Sequence, residues 1–168
     1  MTVLRHTGIN VGGVNPIQYA FLEDIHTFTV NSDTLIGVIA FMQGKTWNYL
    51  YASPDSIQIE GKEEDTKAGM KYTYQIKMLI PKDRTDVEII LRDLNERHLI
   101  INAVDKNGMS RYFGTLQSPM KKISKLVKPA GADGYQGWEV VFSGEFSQPS
   151  CYSSATSTDP ITPPDPIE

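Results

Sequence analysis

The chain predicts a mainly β, α+β domain: a β-sandwich or small barrel of about 8 strands flanked by one α-helix over about residues 86–97. Three features carry that expectation. Tyr72, Tyr74, Ile76, Met78 and Ile80 alternate with Lys71, Thr73, Gln75 and Lys77, which is the period-two signature of a half-buried strand. Asp83 to Arg97 switches to helical spacing, with Val87, Ile90, Leu91 and Leu94 forming an i, i+3, i+4, i+7 stripe. Leu99, Ile100 and Ile101 then restore an apolar run ahead of the turn residues Asp105-Lys106-Asn107-Gly108.

Taken from the start, residues 1–18 scatter Val, Leu and Ile among Gly and Asn. Gly12-Gly13 and Pro16 break any helical run, so an extended N-terminal arm is expected. Tyr19 to Val30 and Thr34 to Met42 read as strands on either side of Asn31-Ser32-Asp33, the second apolar enough to be buried on both faces. After the turn Gln43-Gly44-Lys45, Trp47, Tyr49 and Tyr51 alternate with Asn48 and Leu50, and Pro54-Asp55 closes that strand. Ile57 and Ile59 open the next one. Gly61 to Gly69 (GKEEDTKAG) is nearly free of apolar residues and predicts a protruding, solvated loop.

At the helix, Thr85-Asp86-Val87-Glu88 spells a capping box, in which the Thr85 hydroxyl accepts a backbone N–H and Glu88 reaches back. Asp83 and Asp86 sit near the positive end of the helix dipole and Arg97 near the negative end. Leu99–Val104 and Ser110–Leu116 predict a hairpin in which Gly108 supplies a positive φ, with a bulge or close backbone approach at Gly114. Met120 to Lys128 fits either a strand or a short helix, and Pro129 to Gly137 reads as a loop. Trp138, Val140, Phe142 and Phe146 then share one face of a late strand. One body over residues 19–148 is expected, followed by a flexible acidic tail over 149–168 rich in Pro, Ser and Thr.

Composition narrows the function classes. The net charge is −4, and three acidic residues, Asp159, Asp165 and Glu168, lie in the tail; the body is then close to neutral, unlike the concentrated basic surface of a nucleic-acid binder. Apolar runs such as Leu35–Met42 fall far short of the ~20 residues of a membrane-spanning helix, and the first residues lack the apolar stretch of a signal peptide. A cytoplasmic origin is expected. The lone Cys151 leaves no partner for an internal disulfide.

Motifs with chemistry fail on spacing. Gly44-Lys45-Thr46 would end a phosphate-binding loop only with a glycine where Ile39 stands. Asp105 to Gly108 resembles part of a calcium loop, yet Ala103 occupies the position of the first ligand. His6, His26 and His98 have no metal-binding spacing, and no nucleophile elbow is present. Glu63-Glu64-Asp65, on an exposed segment, lacks the desolvation that acid–base catalysis requires. Lys121, Lys122, Lys125 and Lys128 are expected to form a solvated face; beside them Arg111, Tyr112 and Phe113 are the alternative stacking platform for nucleic acid.

From Ile57 to Tyr152 the order of elements carries further marks: Ile80-Pro81 before the capped helix, Arg97-x-Leu99-Ile100, Asp105-x-Asn107-Gly108, Arg111-x-x-Gly114, and Gly137-Trp-Glu-Val-Val-Phe-Ser-Gly144. This pattern resembles small tail proteins encoded by phages and prophages of the Bacteroidetes type, and the wider tail-tube design. The resemblance implies a tail-tube-like subunit that assembles into hexameric rings through sheet pairing, arms and a long loop. Its place would be the virion tail, reached through the host cytoplasm. Its partners would be copies of itself and other tail or neck proteins, with DNA only as transient cargo and no membrane, cofactor or catalytic residue. The charged segment supplies the candidate interface residues Lys62, Glu63, Glu64, Asp65 and Lys67. A tail terminator, tail completion or head–tail joining protein is the near alternative. From another class comes a monomeric carbohydrate- or protein-binding β-sandwich that uses Trp47, Tyr49 and Tyr51 as an aromatic surface.

Overall fold

The computed structural model describes Val14 and residues 16–53, 55–128 and 136–154. Among these residues the protein is mainly β with one α-helix. In chain order the elements are β1 (Ile17–Phe21), a 3₁₀ turn (Leu22–Asp24), β2 (Ile25–Asn31), β3 (Ile36–Phe41), β4 (Asn48–Leu50), β5 (Gln58–Thr66) and β6 (Gly69–Pro81). After α1 (Thr85–Asn95) come β7 (Leu99–Val104), β8 (Ser110–Phe113), β9 (Lys121–Val127), β10 (Gly137–Phe146) and β11 (Cys151–Ser153). They form a seven-stranded sheet in the order β2-β3-β11-β8-β7-β1-β4 and a four-stranded sheet in the order β5-β6-β10-β9.

The larger sheet has to curl. β1 and β2 stand five places apart in it, about 24 Å in a flat sheet at ~4.8 Å per strand, whereas the three-residue link between them reaches only about 14 Å. The corner is visible in the hydrogen bonds. The Leu22 N–H donates to the His98 carbonyl at 3.0 Å beside β7, and the Met42 N–H donates to the Asp24 carbonyl at 2.9 Å beside β3. The chain thus changes partner within three residues, and the sheet becomes a half-barrel.

Curling buries both faces of the central strands, so every residue of β1 and β7 is buried. One face, with Ile17, Tyr19, Leu99, Ile101 and Phe113, packs on Tyr74, Ile76, Met78, Val140 and Phe142 of the four-stranded sheet and on Val87, Leu91 and Leu94 of α1. The concave face holds a second cluster around Ala20, Ile25 and Ile100, closed by Phe28, Ile39, Phe41 and Trp47. A buried polar chain crosses that same face. Ser110 Oγ donates to Asn102 Oδ1 at 2.7 Å and Asn102 Nδ2 to Gln18 Oε1 at 2.7 Å, so these side chains satisfy one another. At Gly114, where φ is +102°, a Cβ would lie 3.0 Å from the Leu99 carbonyl, which is the close backbone approach expected there.

The alternating strand β6, the helix α1 and the hairpin of β7 and β8 stand where expected, and residues 121–127 form a strand. Several expectations are corrected. The single strand over 19–30 is two strands around the corner, so more strands form than the expected eight. β3 is not buried on both faces: Ile36, Val38 and Ala40 face outward, because the four-stranded sheet does not extend over that part of the curl. The capping box does not form. Arg84 is the N-cap, no side chain caps it, and Thr85 lies inside the first turn. Ile90 is 42% exposed, because α1 touches the core only along Val87, Leu91 and Leu94. The helix ends at Asn95, leaving Arg97 to pair with Asp93 at 3.2 Å and Glu23 at 3.0 Å and to cover the Phe21 ring. Finally, Cys151–Ser153 pairs with both β8 and β3, so ordered sheet runs past residue 148 into the expected tail. Arm residues 1–13, loop residues 129–135 and tail residues 155–168 lie outside the described residues.

Candidate interface: free sheet edges and a projecting hairpin

The charged segment is a ribbon and not a loop. β5 pairs with β6 from Gln58 opposite Lys77 out to Thr66 opposite Gly69, whereas β10 follows β6 only as far as Phe146 opposite Tyr72. Residues 64–66 and 69–71 therefore extend past the sheet as a two-stranded hairpin. Its turn is confined to Lys67-Ala68, where Thr66 Oγ1 donates to the Gly69 carbonyl at 2.7 Å and accepts the Ala68 N–H at 3.3 Å. The alternation hidden among the charged residues explains the extended backbone: in a strand, Lys62 and Glu64 face one side and Glu63 and Asp65 the other.

The structure separates the five predicted residues accordingly. On the outer face Lys62 pairs with Glu64, Glu60 with Lys77 at 3.1 Å, and Lys71 with Glu145 at 2.9 Å. The hydrogen bond and charge of Lys62 hold the Glu64 carboxyl below its ordinary range, and Glu145 likewise raises the Lys71 ammonium. These pairs are exposed and add little stability in water. Glu63 and Asp65 share the opposite face, both exposed, and Lys67 sits in the turn. On that face Gly61 lies against the Tyr74 ring, where a Cβ would come within 2.8 Å.

The sheets end in the edge strands β2, β4, β5 and β9 among the described residues. An open edge presents unpaired backbone donors and acceptors to any passing strand. On β9 the structure corrects the sequence reading: Lys122 is buried, not solvated. Its Nζ donates to the Leu91 carbonyl of α1 at 2.6 Å and to Ser124 Oγ at 3.0 Å, and burial pulls its pKa down to about 8. Lys121 and Lys125 point outward and are exposed, Ile123 between them is 66% exposed, and Lys128 pairs with Asp83.

Other candidates resolve as follows. The stacking platform at residues 111–113 is absent, since Tyr112 and Phe113 are buried and the Arg111 guanidinium covers the Tyr152 ring and donates to its hydroxyl. Arg111 and Tyr152 line a cleft of about 280 Å³ with Val14, Ile59, Met109 and Phe113, another feature not read from sequence. Trp47 stacks on Tyr112 in the concave core, while Tyr49 and Tyr51 are 45% and 46% exposed with rings 6.3 Å apart. Asp105 Oδ1 accepts the Asn107 and Met109 N–H groups at 2.8 and 2.9 Å, as a hairpin turn does. Lys45 of the Gly-Lys-Thr sequence pairs with Asp24 at 2.8 Å. Cys151 is buried in β11 and its thiol is pushed up to about 11, so it is a packing residue and a poor nucleophile. His26 and His98 are exposed, and no cluster of metal-ligating side chains occurs among the described residues. Comparison with protein-family models, with curated proteins and with solved structures finds no match to this chain.

Proposed function

We propose that the chain is a structural subunit that assembles with copies of itself, in the manner of a phage tail-tube protein whose rings stack into a DNA conduit. The observation that carries this reading is the four-stranded sheet, open at both edges among the described residues and drawn out into a charged ribbon beyond its neighbour strand. Sheet augmentation joins chains through main-chain hydrogen bonds, and side chains on the joined edges set specificity. Hexameric rings, a virion location and tail or neck partners follow from the resemblance of residues 57–152, and a tail terminator or head–tail joining protein would use the same edges.

Light scattering on the full chain, with negative-stain microscopy of the same sample, tests the reading. Rings or tubes are expected, and their loss when residues 64–71 are replaced by a two-residue Asn-Gly turn, which keeps Glu63 opposite Tyr72. A strict monomer at high concentration would sink it. One observation favours a second reading, a sugar- or peptide-recognition module: the exposed, nearly parallel Tyr49 and Tyr51 rings. Glycan-array binding by a monomer that disappears on Tyr49→Ala with Tyr51→Ala would replace the first reading with this one.

A further inference from the structure

We propose that β5 of one copy pairs antiparallel with β9 of a second copy, in the register that sets Glu60 opposite Lys125 and Glu64 opposite Lys121. This inference rests on the self-assembly reading and adds which edges meet and how.

Polarity allows the contact, with neighbouring copies staggered by four residues. Each neighbouring pair in the four-stranded sheet is antiparallel, so β5 and β9 run in opposite directions. Laying copies side by side therefore sets β9 beside the next β5 in antiparallel sense. The contact is heterologous, since each copy offers one edge of each kind, and its repetition generates a ring or a filament.

The two edges carry opposite charge. β5 holds Glu60, Glu63, Glu64 and Asp65 against Lys62 alone, while β9 holds Lys121, Lys122 and Lys125 with no acidic residue. Among the described residues Lys121, Lys125, Glu63 and Asp65 form no ion pair within the chain. Complementary potentials of this kind steer association and exclude like edges. Two β5 edges or two β9 edges would repel.

Spacing then selects the register. The pairings place Glu60, Lys62 and Glu64 on the outer face of the sheet, the same face as Lys121, Ile123 and Lys125. In the proposed register Glu60 meets Lys125, the Lys62 stem meets exposed Ile123, and Glu64 meets Lys121. On the inner face Ile59 meets Leu126, and Glu63 stands opposite the Lys122 position. Sliding by two residues either way brings Lys62 against Lys121 or Lys125, and sliding by one sets inner-face residues against outer-face residues. Of these registers only the proposed one avoids a like-charge pair while matching both faces.

The test is a reciprocal charge reversal in the full chain, read by light scattering and native mass spectrometry. Glu60→Lys with Glu64→Lys makes both edges basic, and Lys121→Glu with Lys125→Glu makes both acidic. Each variant alone is expected to self-associate about tenfold more weakly or worse, and an equimolar mixture to recover assemblies containing both chains. If the Lys121→Glu, Lys125→Glu chain assembles like the parent, or the mixture stays monomeric, the edge assignment is overturned while self-assembly stands. A parent that is itself monomeric overturns both. Should either reversal fail to fold, a chain with Glu60→Cys and Lys125→Cys replaces it: oxidation is expected to give a ladder of covalent multimers, and its absence overturns the register.

Discussion

The two sheets differ in how many of their faces they bury. The seven-stranded sheet curls until β1 and β7 are buried throughout, and it joins its polar side chains Gln18, Asn102 and Ser110 into a closed chain of hydrogen bonds. The four-stranded sheet buries one face, leaves the other to an array of exposed ion pairs, and among the described residues stays open at β5 and β9. Satisfied groups specify one fold within a single copy, whereas unsatisfied edges invite a second copy. The core is shared by both sheets and α1, whereas the outer array of ion pairs lies on the second sheet.

The strongest way to break that division is Leu94→Asp. Leu94 is fully buried under α1, where the substitution combines a large-to-small cavity with a carboxylate lacking a partner, a loss of roughly 4 kcal/mol or more against a typical total of ~5–15. The variant is expected to be insoluble or to lose its cooperative melt. Glu63→Lys, on the exposed ribbon, should melt within about 1 °C of the parent, because surface substitutions away from packed features are nearly neutral. A soluble, cooperatively melting Leu94→Asp chain would refute the helix packing.

Gly37→Ala should come next in size. A Cβ there would lie 2.7 Å from Cys151 Sγ and 3.0 Å from both the Phe28 and Tyr112 rings, overpacking that costs about 1–3 kcal/mol. Since the sulfur is the nearest of these atoms, adding Cys151→Ala should restore part of the loss, and a thermal or denaturant double-mutant cycle measures the coupling. Strict additivity would show that β11 does not press on β3 as the structure has it.

What the sequence disclosed follows the same division. The alternation of β6 was legible because one face meets the core and the other meets water, and β7 announced itself as an apolar run because both its faces are covered. The break between β1 and β2 was hidden, since Leu22 continues the apolar character and only the curl of the sheet demands a corner. β11 escaped because three residues amid Ser and Pro form a strand only when β8 and β3, distant in sequence, flank them. Lys62 to Lys67 could be read as exposed charge, but not as an edge, because edges are a property of topology. Nothing local marks Lys122 as buried, because its burial depends on Leu91, 31 residues away in the helix.

Lys122 makes the comparison sharper, since it is the one charge of the open sheet that has been taken inside. Its pKa of about 8 lies below the ~10.4 of an unfolded lysine, so between those values the unfolded chain holds more protons and stability rises with pH. Below about pH 8 the cost of the buried ammonium is fully present. Melting temperature is thus expected to climb by a few degrees from pH 7.5 to 10, apart from other titrations, and Lys122→Met should raise it at pH 7.5 and flatten that climb. A Lys122→Met chain that keeps the parent's slope would assign the pH dependence elsewhere.

The smallest expected effect lies at the joint where the open sheet hands the chain to the helix. Lys82, just after β6, has φ +66°, a left-handed conformation that L residues adopt at a cost, and its N–H donates to the Gln136 carbonyl at 3.0 Å. Lys82→Gly keeps that hydrogen bond and removes the Cβ strain, while the freer unfolded chain offsets part of the benefit, for a net gain of about 0.5–1 kcal/mol or roughly 2 °C in melting temperature. Lys82→Ala retains the Cβ and should gain nothing, which isolates backbone strain from the loss of a charge. Equal stabilisation by both would instead mean that the lysine charge, and not its φ, was the unfavourable element at the joint.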